Sequence, residues 1–167
     1  MELLLMVAGD FAGIYDAMVE AFPREERRDR VTAEALLSNP CYRIYHAVWQ
    51  GVRVGFIALW ELGDFVFVEH FVIYPIFRCR GYGAQVLACL KERYTSIVLE
   101  AEHPETEIAV RRLAFYERCG FVKNSYPYLQ PSYHGEAPVP LVLMSYPTAL
   151  TAPEEAVRQI HQTVYMQ

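Results

Sequence analysis

The spacing of apolar positions changes several times along the chain, and each change marks a new element. Leu3–Val7 is a short apolar run cut off by Gly9-Asp10, which predicts an edge strand. Apolar residues then recur at Phe11, Ile14, Met18 and Phe22, the spacing of one helix face over Phe11–Ala21, and Pro23 stops it. A second short helix is expected over Thr32–Leu37, capped by Thr32 and ended by Asn39-Pro40. Tyr42–Trp49 and Val52–Trp60 read as strands joined at Gln50-Gly51, a hairpin signal. Phe65–Ile73 is apolar on both faces apart from Glu69 and His70, as in a central strand covered by helices.

After that strand comes the turn "FRCRGYGA" (Phe77–Ala84), then a helical stripe at Val86, Leu87, Leu90 and Tyr94. Ser96–Glu102 is a further strand. Pro104 and Thr106 open a helix that runs to Cys119 and stops at Gly120. Phe121–Ser125 and Pro140–Tyr146 predict two more strands. From Thr151 a last helix is expected, to about residue 165, with Pro153, Glu154 and Glu155 in its first turn and a stripe at Val157, Ile160 and Val164. That stripe packs either on its own domain or on a second copy of the chain. The order predicts an α/β (α+β) protein, a mixed sheet with helices on both sides, in a single domain over 1–167 whose core is about 3–146.

Composition narrows the class. Of 167 residues, 53% are apolar and 21% charged, which suits a folded domain with a full core. The net charge of −5 argues against a broad phosphate-binding face for nucleic acid. Cys41, Cys79, Cys89 and Cys119 are scattered without a C-x-x-C pair, so free thiols in a reducing cytoplasm are expected, and no metal site. The start has an acidic Glu2 and no basic n-region, which does not read as a signal peptide. No run approaches the ~18 apolar residues of a membrane span.

The glycine turn carries the chemistry. Main-chain N–H groups at a helix start lack partners and sit at the positive end of the macrodipole, so they bind anions. Gly81 and Gly83 carry no Cβ, which lets a phosphate approach the main chain, and Arg78 and Arg80 add charge at the rim. It is not a Walker loop, because no G-K-[ST] follows, nor a dinucleotide fingerprint, because Val86 stands at the third glycine position.

Arg78-Cys79-Arg80-Gly81-Tyr82-Gly83 fits [Q/R]-x-x-G-x-[G/A] after "VIYP", and "AFYERCGF" (Ala114–Phe121) follows about thirty residues later. This pair of motifs resembles the GNAT family of N-acetyltransferases, over roughly Leu3 to Tyr146. The resemblance implies a mostly antiparallel central sheet of about six to seven strands and an acetyl-CoA co-substrate. Its pantetheine arm would pair with the main chain of Phe71, Val72 and Ile73, in a gap where that strand splays from Ser96–Glu102. Its pyrophosphate would lie on Arg80, Gly81, Tyr82, Gly83 and Ala84, with Arg78 at the rim. One position departs: Ala109 stands where the family often has an asparagine, so no amide side chain meets the coenzyme there.

By the same resemblance Tyr116 is the proton donor to the leaving thiolate. Its helix is expected to turn Ile108, Phe115 and Cys119 to the core, with Arg112 amid that stripe, either paired with Glu100 or Glu102 and anchoring the helix or snorkelling to solvent. Glu69 is the candidate base, since desolvation between Phe67 and Phe71 would raise its carboxyl. A structural acid paired with an arginine is the other reading of Glu69, and His70, Glu100 and Glu102 remain candidates. The acceptor would meet "FPREERRDR" (Phe22–Arg30), expected as a solvated face, and "SYPYLQPSYHGE" (Ser125–Glu136), where Tyr126, Tyr128, Tyr133 and His134 form either a pocket lining or a surface loop. The expected function is acetyl transfer to a primary amine of a small or amino-acid-like molecule. A non-catalytic acetyl-CoA sensor and a protein N-acetyltransferase are the alternatives, and a homodimer is an open option.

Overall fold

Helix α1 (Phe11–Ala21) forms where the periodicity predicts it, because Phe11, Ile14, Tyr15 and Met18 fall on one buried stripe. Its last turn is closed by the Phe22 N–H on the Met18 carbonyl, just before Pro23 removes the next donor. Helix α2 (Arg30–Ala35) starts two residues earlier than expected. Asp29, not Thr32, is the cap: its carboxylate accepts from the Thr32 N–H at 2.9 Å and from the Thr32 hydroxyl at 3.0 Å.

The computed structural model describes residues 1–166. Contacts divide the chain into two compact units, Met1–Glu61 with Val68–Arg93, and Leu62–Phe67 with Tyr94–Gln167.

In the first unit, β1 (Glu2–Leu5), β2 (Tyr42–Trp49), β3 (Val52–Glu61) and β4 (Val66–Ile73, from Val68 onward) lie side by side in that order. β1 and β3 both run antiparallel to β2. The β2–β3 hairpin turns at Gln50 and Gly51, whose φ of 49° and 78° are the left-handed values a two-residue turn requires. β3 approaches β4 so closely that a Cβ on Gly55 would run into the Val72 carbonyl. Helix α3 (Tyr82–Arg93) buries Val86, Leu87 and Leu90. It packs against β1, where Arg93 donates to the Leu3 carbonyl at 2.7 Å.

In the second unit, β8 (Val139–Tyr146) pairs antiparallel with β5 (Ile97–Glu102), while β6 (Val122–Lys123) and β7 (Tyr128–Gln130) pair with successive stretches of β8. β7 was not anticipated, because its proline-rich surroundings hide a three-residue strand. With it the strands number eight among the described residues. Helix α4 (Glu107–Arg118) starts at Thr106, whose hydroxyl accepts from the Ala109 N–H, and Gly120 follows it at φ +85°. Its buried stripe is Ala109, Leu113 and Tyr116. Ile108 is 67% exposed, so the expected core side is rotated by about one position. Helix α5 (Pro153–Ile160) and the π-turn His161–Tyr165 bury Ala156, Ile160 and Val164. Among the described residues no helix is long and apolar enough to cross a membrane.

Candidate functional site

The turn after β4 is built in steps. The Tyr74 N–H donates to the Val54 carbonyl at 3.0 Å, fixing the strand end, and Pro75–Phe77 forms one 3-10 turn. Arg78, expected as a rim charge, also staples the turn: its Nε donates to the Ile73 carbonyl at 3.0 Å. Cys79 and Gly81 then take φ of 60° and 80°, two left-handed residues within three positions. Strain of this kind, in a non-glycine residue, is held by its surroundings and clusters where a loop must meet a ligand. The Gly81 carbonyl accepts from the Gln85 N–H, so α3 begins with the N–H groups that follow Gly81. A Cβ at Gly81 would find no neighbour within 4 Å, so nothing packs on that side of the turn. Tyr82 is braced by Trp49 and Phe77, with ring centroids 6.0 and 6.2 Å away, and Arg80 stands over the Phe77 ring.

Along β4, Glu69, Phe71 and Ile73 are half-buried and alternate with buried Val68, His70 and Val72. The Glu69 side chain is only 1% exposed, so what Glu69 shows to solvent is main chain.

The side chain of Glu69 corrects two expectations. Its carboxylate accepts from the Arg28 guanidinium and, through Oε2, from Trp60 Nε1 at 2.9 Å. Burial alone would raise this carboxyl, but Arg28, then His70 and Trp60, outweigh it and hold it below its ordinary 4.5. Glu69 is therefore a charged, paired acid, the reverse of the raised pKa expected from its apolar neighbours. The Phe22–Arg30 segment is likewise not simply solvated. Arg28 is 7% exposed, and Arg27 donates to the Phe22 carbonyl at 3.2 Å and the Tyr15 hydroxyl at 3.0 Å. Beside this cluster Tyr42 is buried, and burial followed by the Glu69 charge pushes its phenol well above the ordinary value.

In the second unit, Tyr116 is buried against Phe115 and Phe121. Its hydroxyl has no hydrogen-bond partner among the described residues, so its proton is not committed elsewhere. Burial raises the phenol to about 12, with Cys119 and Glu102 adding to the rise and Arg112 opposing it. Arg112 pairs with Glu102 as expected, but both side chains are half exposed, at 43% and 44%. Glu100 faces a different set: Tyr128, Gln130 Nε2 at 2.6 Å and the Tyr165 hydroxyl at 2.9–3.0 Å. That hub ties β5, β7 and the C-terminal turn together. It makes Tyr128 a buried partner of Glu100, and Tyr133 packs at a tilt on Tyr165, with ring centroids 5.2 Å apart. Sequence reading missed this hub, and also the Asp10–His46–Arg53 cluster, in which Asp10 accepts from His46 at 3.1 Å and from Arg53 at 2.8 Å. Among the described residues no group of three or more His, Cys, Asp or Glu side chains is placed to hold a metal ion.

Comparison with known proteins gives four concordant findings. A profile of the acetyltransferase (GNAT) family matches residues 11–121. YjbC of Bacillus subtilis (strain 168), named as a candidate acetyltransferase, is 31% identical over 109 residues, which make up 64% of this chain and 55% of that protein. The chain thus spans about half the length of that curated relative. A solved GNAT-family structure from Bacteroides thetaiotaomicron, also named as a candidate acetyltransferase, aligns with a TM-score of 0.93 at 30% identity, over 99% of this chain and 98% of that one. A Bacillus subtilis acetyltransferase in complex with CoA, 14% identical, shares the fold, with a TM-score of 0.59 over 86% of this chain and 97% of that one.

Proposed function

The chain belongs to the GNAT acetyltransferase family, and on that premise we propose that it moves the acetyl group of acetyl-CoA to a primary amine of a small, amino-acid-like acceptor by direct attack on the thioester. The observation that carries this reading is the left-handed Gly81 turn. It lies directly before the N–H groups that start α3, with nothing within 4 Å of where a Gly81 Cβ would stand, and with Arg78 and Arg80 on the same loop. Those N–H groups, Gly81 to Ala84, take the pyrophosphate. Arg80 neutralises part of its charge, while Arg78 holds the loop to the strand end and adds a second cation. The main chain of Phe71, Val72 and Ile73 takes the pantetheine arm.

The bound thioester supplies an acyl group that an amine can attack without a covalent enzyme intermediate. The protein's share is to hold it, to remove an amine proton and to return one to the thiolate. Tyr116 suits the last task, because its phenol stays protonated at neutral pH and its proton lacks a competing acceptor. The test is thiol release from acetyl-CoA across a panel of amines, in wild type and Tyr116→Phe. Turnover with at least one amine, strongly reduced in the variant, is expected. Coenzyme binding with no turnover on any amine would favour a sensor.

A further inference from the structure

His70 has one nitrogen satisfied and one without a partner. Its ring is 4% exposed and packs edge-on against Phe22, with centroids 4.8 Å apart. Nε2 lies 3.1 Å from the Glu26 main-chain carbonyl. A carbonyl only accepts, so Nε2 carries a proton, and in the neutral ring Nδ1 carries the lone pair. That Nδ1 is buried without a hydrogen-bond partner, 3.8 Å from Oε2 of Glu69. Oε2 in turn accepts from Trp60 Nε1, and Oε1 accepts from Arg28. Two acceptor atoms thus face each other at a separation too long for a direct bond. One added proton, or one bridging donor, completes the arrangement. Buried polar atoms left in this state call for an explanation.

We propose that Nδ1 of His70 is the atom that takes the acceptor's ammonium proton, through one bridging water, and that Glu69 is the fixed counter-charge for the resulting imidazolium. The assignment rests on the acetyl-transfer reading above. In the imidazolium, Nε2–H keeps its bond to Glu26, and the charge gained at Nδ1 lies at ion-pair distance, 3.8 Å, from Oε2 of Glu69. The protons balance as follows. The ammonium gives one proton to His70, and the freed nitrogen lone pair forms the N–C bond. The C–S bond breaks, and the thiolate takes the phenolic proton of Tyr116. The amide nitrogen loses its remaining excess proton to solvent, which reprotonates Tyr116. His70 then releases its proton to solvent, giving one net proton per ammonium acetylated.

The charged groups around His70 fit that role. Burial lowers its pKa below the ordinary 6.5, the Glu69 charge and the Glu26 carbonyl pull it up, and Arg28 and Arg27 push it down. The ring is therefore neutral and ready to accept at neutral pH. Glu69, ionised throughout that range, acts on the ring and is not itself the acceptor.

Two measurements decide the matter. The first is independent of activity: long-range proton–nitrogen NMR of the histidine rings in wild type and Glu69→Gln. The expected result is the Nε2–H tautomer for His70 at pH 7.5, and an apparent pKa lower by about one unit or more in Glu69→Gln. An Nδ1–H tautomer in wild type, or a titration that ignores Glu69→Gln, overturns the proposal. The second is the pH dependence of kcat/KM. His70→Gln is expected to lose about 10²–10⁴-fold and the acid limb with it. Glu69→Gln is expected to lose less and to move that limb to lower pH. Wild-type behaviour of His70→Gln overturns the assignment, and so does a Glu69→Gln variant as inactive as His70→Gln. Absence of thiol release by wild type with every amine overturns the acetyl-transfer reading and this proposal with it. Thiol release together with the Nδ1–H tautomer overturns this proposal alone.

Discussion

Arg28 and Glu69, 41 residues apart in the chain, form an ion pair whose side chains are 7% and 1% exposed. The pair fixes the segment after α1 onto β4. Removing one partner leaves a desolvated charge, which costs far more than the pair itself contributes. Arg28→Met is expected to lower the unfolding free energy by about 3–5 kcal/mol, measured by urea denaturation at pH 7.5. Arg28→Met combined with Glu69→Leu should recover most of that loss, because the double variant buries no charge. A single variant within about 0.5 kcal/mol of wild type would mean that the pair is solvated.

The same cluster sets how stability responds to acid. Glu69 and His70 both have folded pKa values below their ordinary 4.5 and 6.5. The unfolded chain therefore binds more protons as the pH falls, and stability falls with it. Each contribution is complete above the ordinary value and is lost as the pH drops through the folded one. Unfolding free energy should decline in two stages, one beginning below about pH 6.5 and one below about 4.5. His70→Gln should shrink the upper stage without abolishing it, because His46 and His161 are lowered as well. Denaturant titrations at half-unit pH intervals would check this, and a flat wild-type curve between pH 7.5 and 5.5 would contradict it.

Local pattern made most of the fold legible. The period of 3.6 in Phe11–Ala21 and the Gln50-Gly51 turn needed no tertiary context, and the structure places both as expected. The β4-to-α3 turn was legible for the same reason, since its glycines and arginines all fall within Arg78–Gly83. What stayed hidden depends on distant partners. Nothing within Phe22–Arg30 shows that Arg28 turns inward, because its acceptor lies 41 residues on. Without that cation in view, desolvation gave the wrong direction for the carboxyl, while the other reading, an acid paired with an arginine, had no partner to name until the structure supplied Arg28. Glu100 was ambiguous likewise, because its donors Tyr128, Gln130 and Tyr165 belong to a three-residue strand and a C-terminal turn. The α4 face was misjudged by about 100°, because Ile108 was counted as core although it is 67% exposed.

Two glycines should separate stability from coenzyme binding. Gly55→Ala puts a Cβ into the Val72 carbonyl, a main-chain atom that cannot rotate away. Overpacking of this kind costs about 1–3 kcal/mol or more, and thermal unfolding should show it. Gly81→Val places a branched side chain at φ +80°, on the residue just before the α3 N–H groups. Its left-handed conformation costs about 1–2 kcal/mol. Its larger effect should be a loss of acetyl-CoA affinity beyond tenfold by calorimetry. Unchanged affinity would place the diphosphate elsewhere.

Arg112 and Glu102 are joined by a close ion pair, yet both are half exposed. Water and salt screen such a pair, and its contribution is about 0–1 kcal/mol. Arg112→Ala should therefore move the unfolding free energy by less than about 1 kcal/mol at 0.15 M salt. A loss beyond 2 kcal/mol would show that Arg112 anchors α4, as its sequence position first suggested.

Tyr116 gives the sharpest separation between a structural and a chemical role. Its ring packs between Phe115 and Phe121, while its hydroxyl bonds to no described residue. Tyr116→Phe keeps the packing and removes a group that supports nothing else, so stability should stay within about 0.5 kcal/mol. If the phenol is the proton donor, kcat should nevertheless fall by about 10²–10⁴-fold, with the Kd for acetyl-CoA within about twofold of wild type. Burial raises the phenol to about 12. In wild type it therefore stays protonated through the alkaline assay range, and ionisation of Tyr116 should cause no rate loss between pH 8 and 10. A variant that turns over like wild type would leave Tyr116 as packing alone. A fall in rate near pH 9 that disappears in Tyr116→Phe would show a phenol far more acidic than its burial allows.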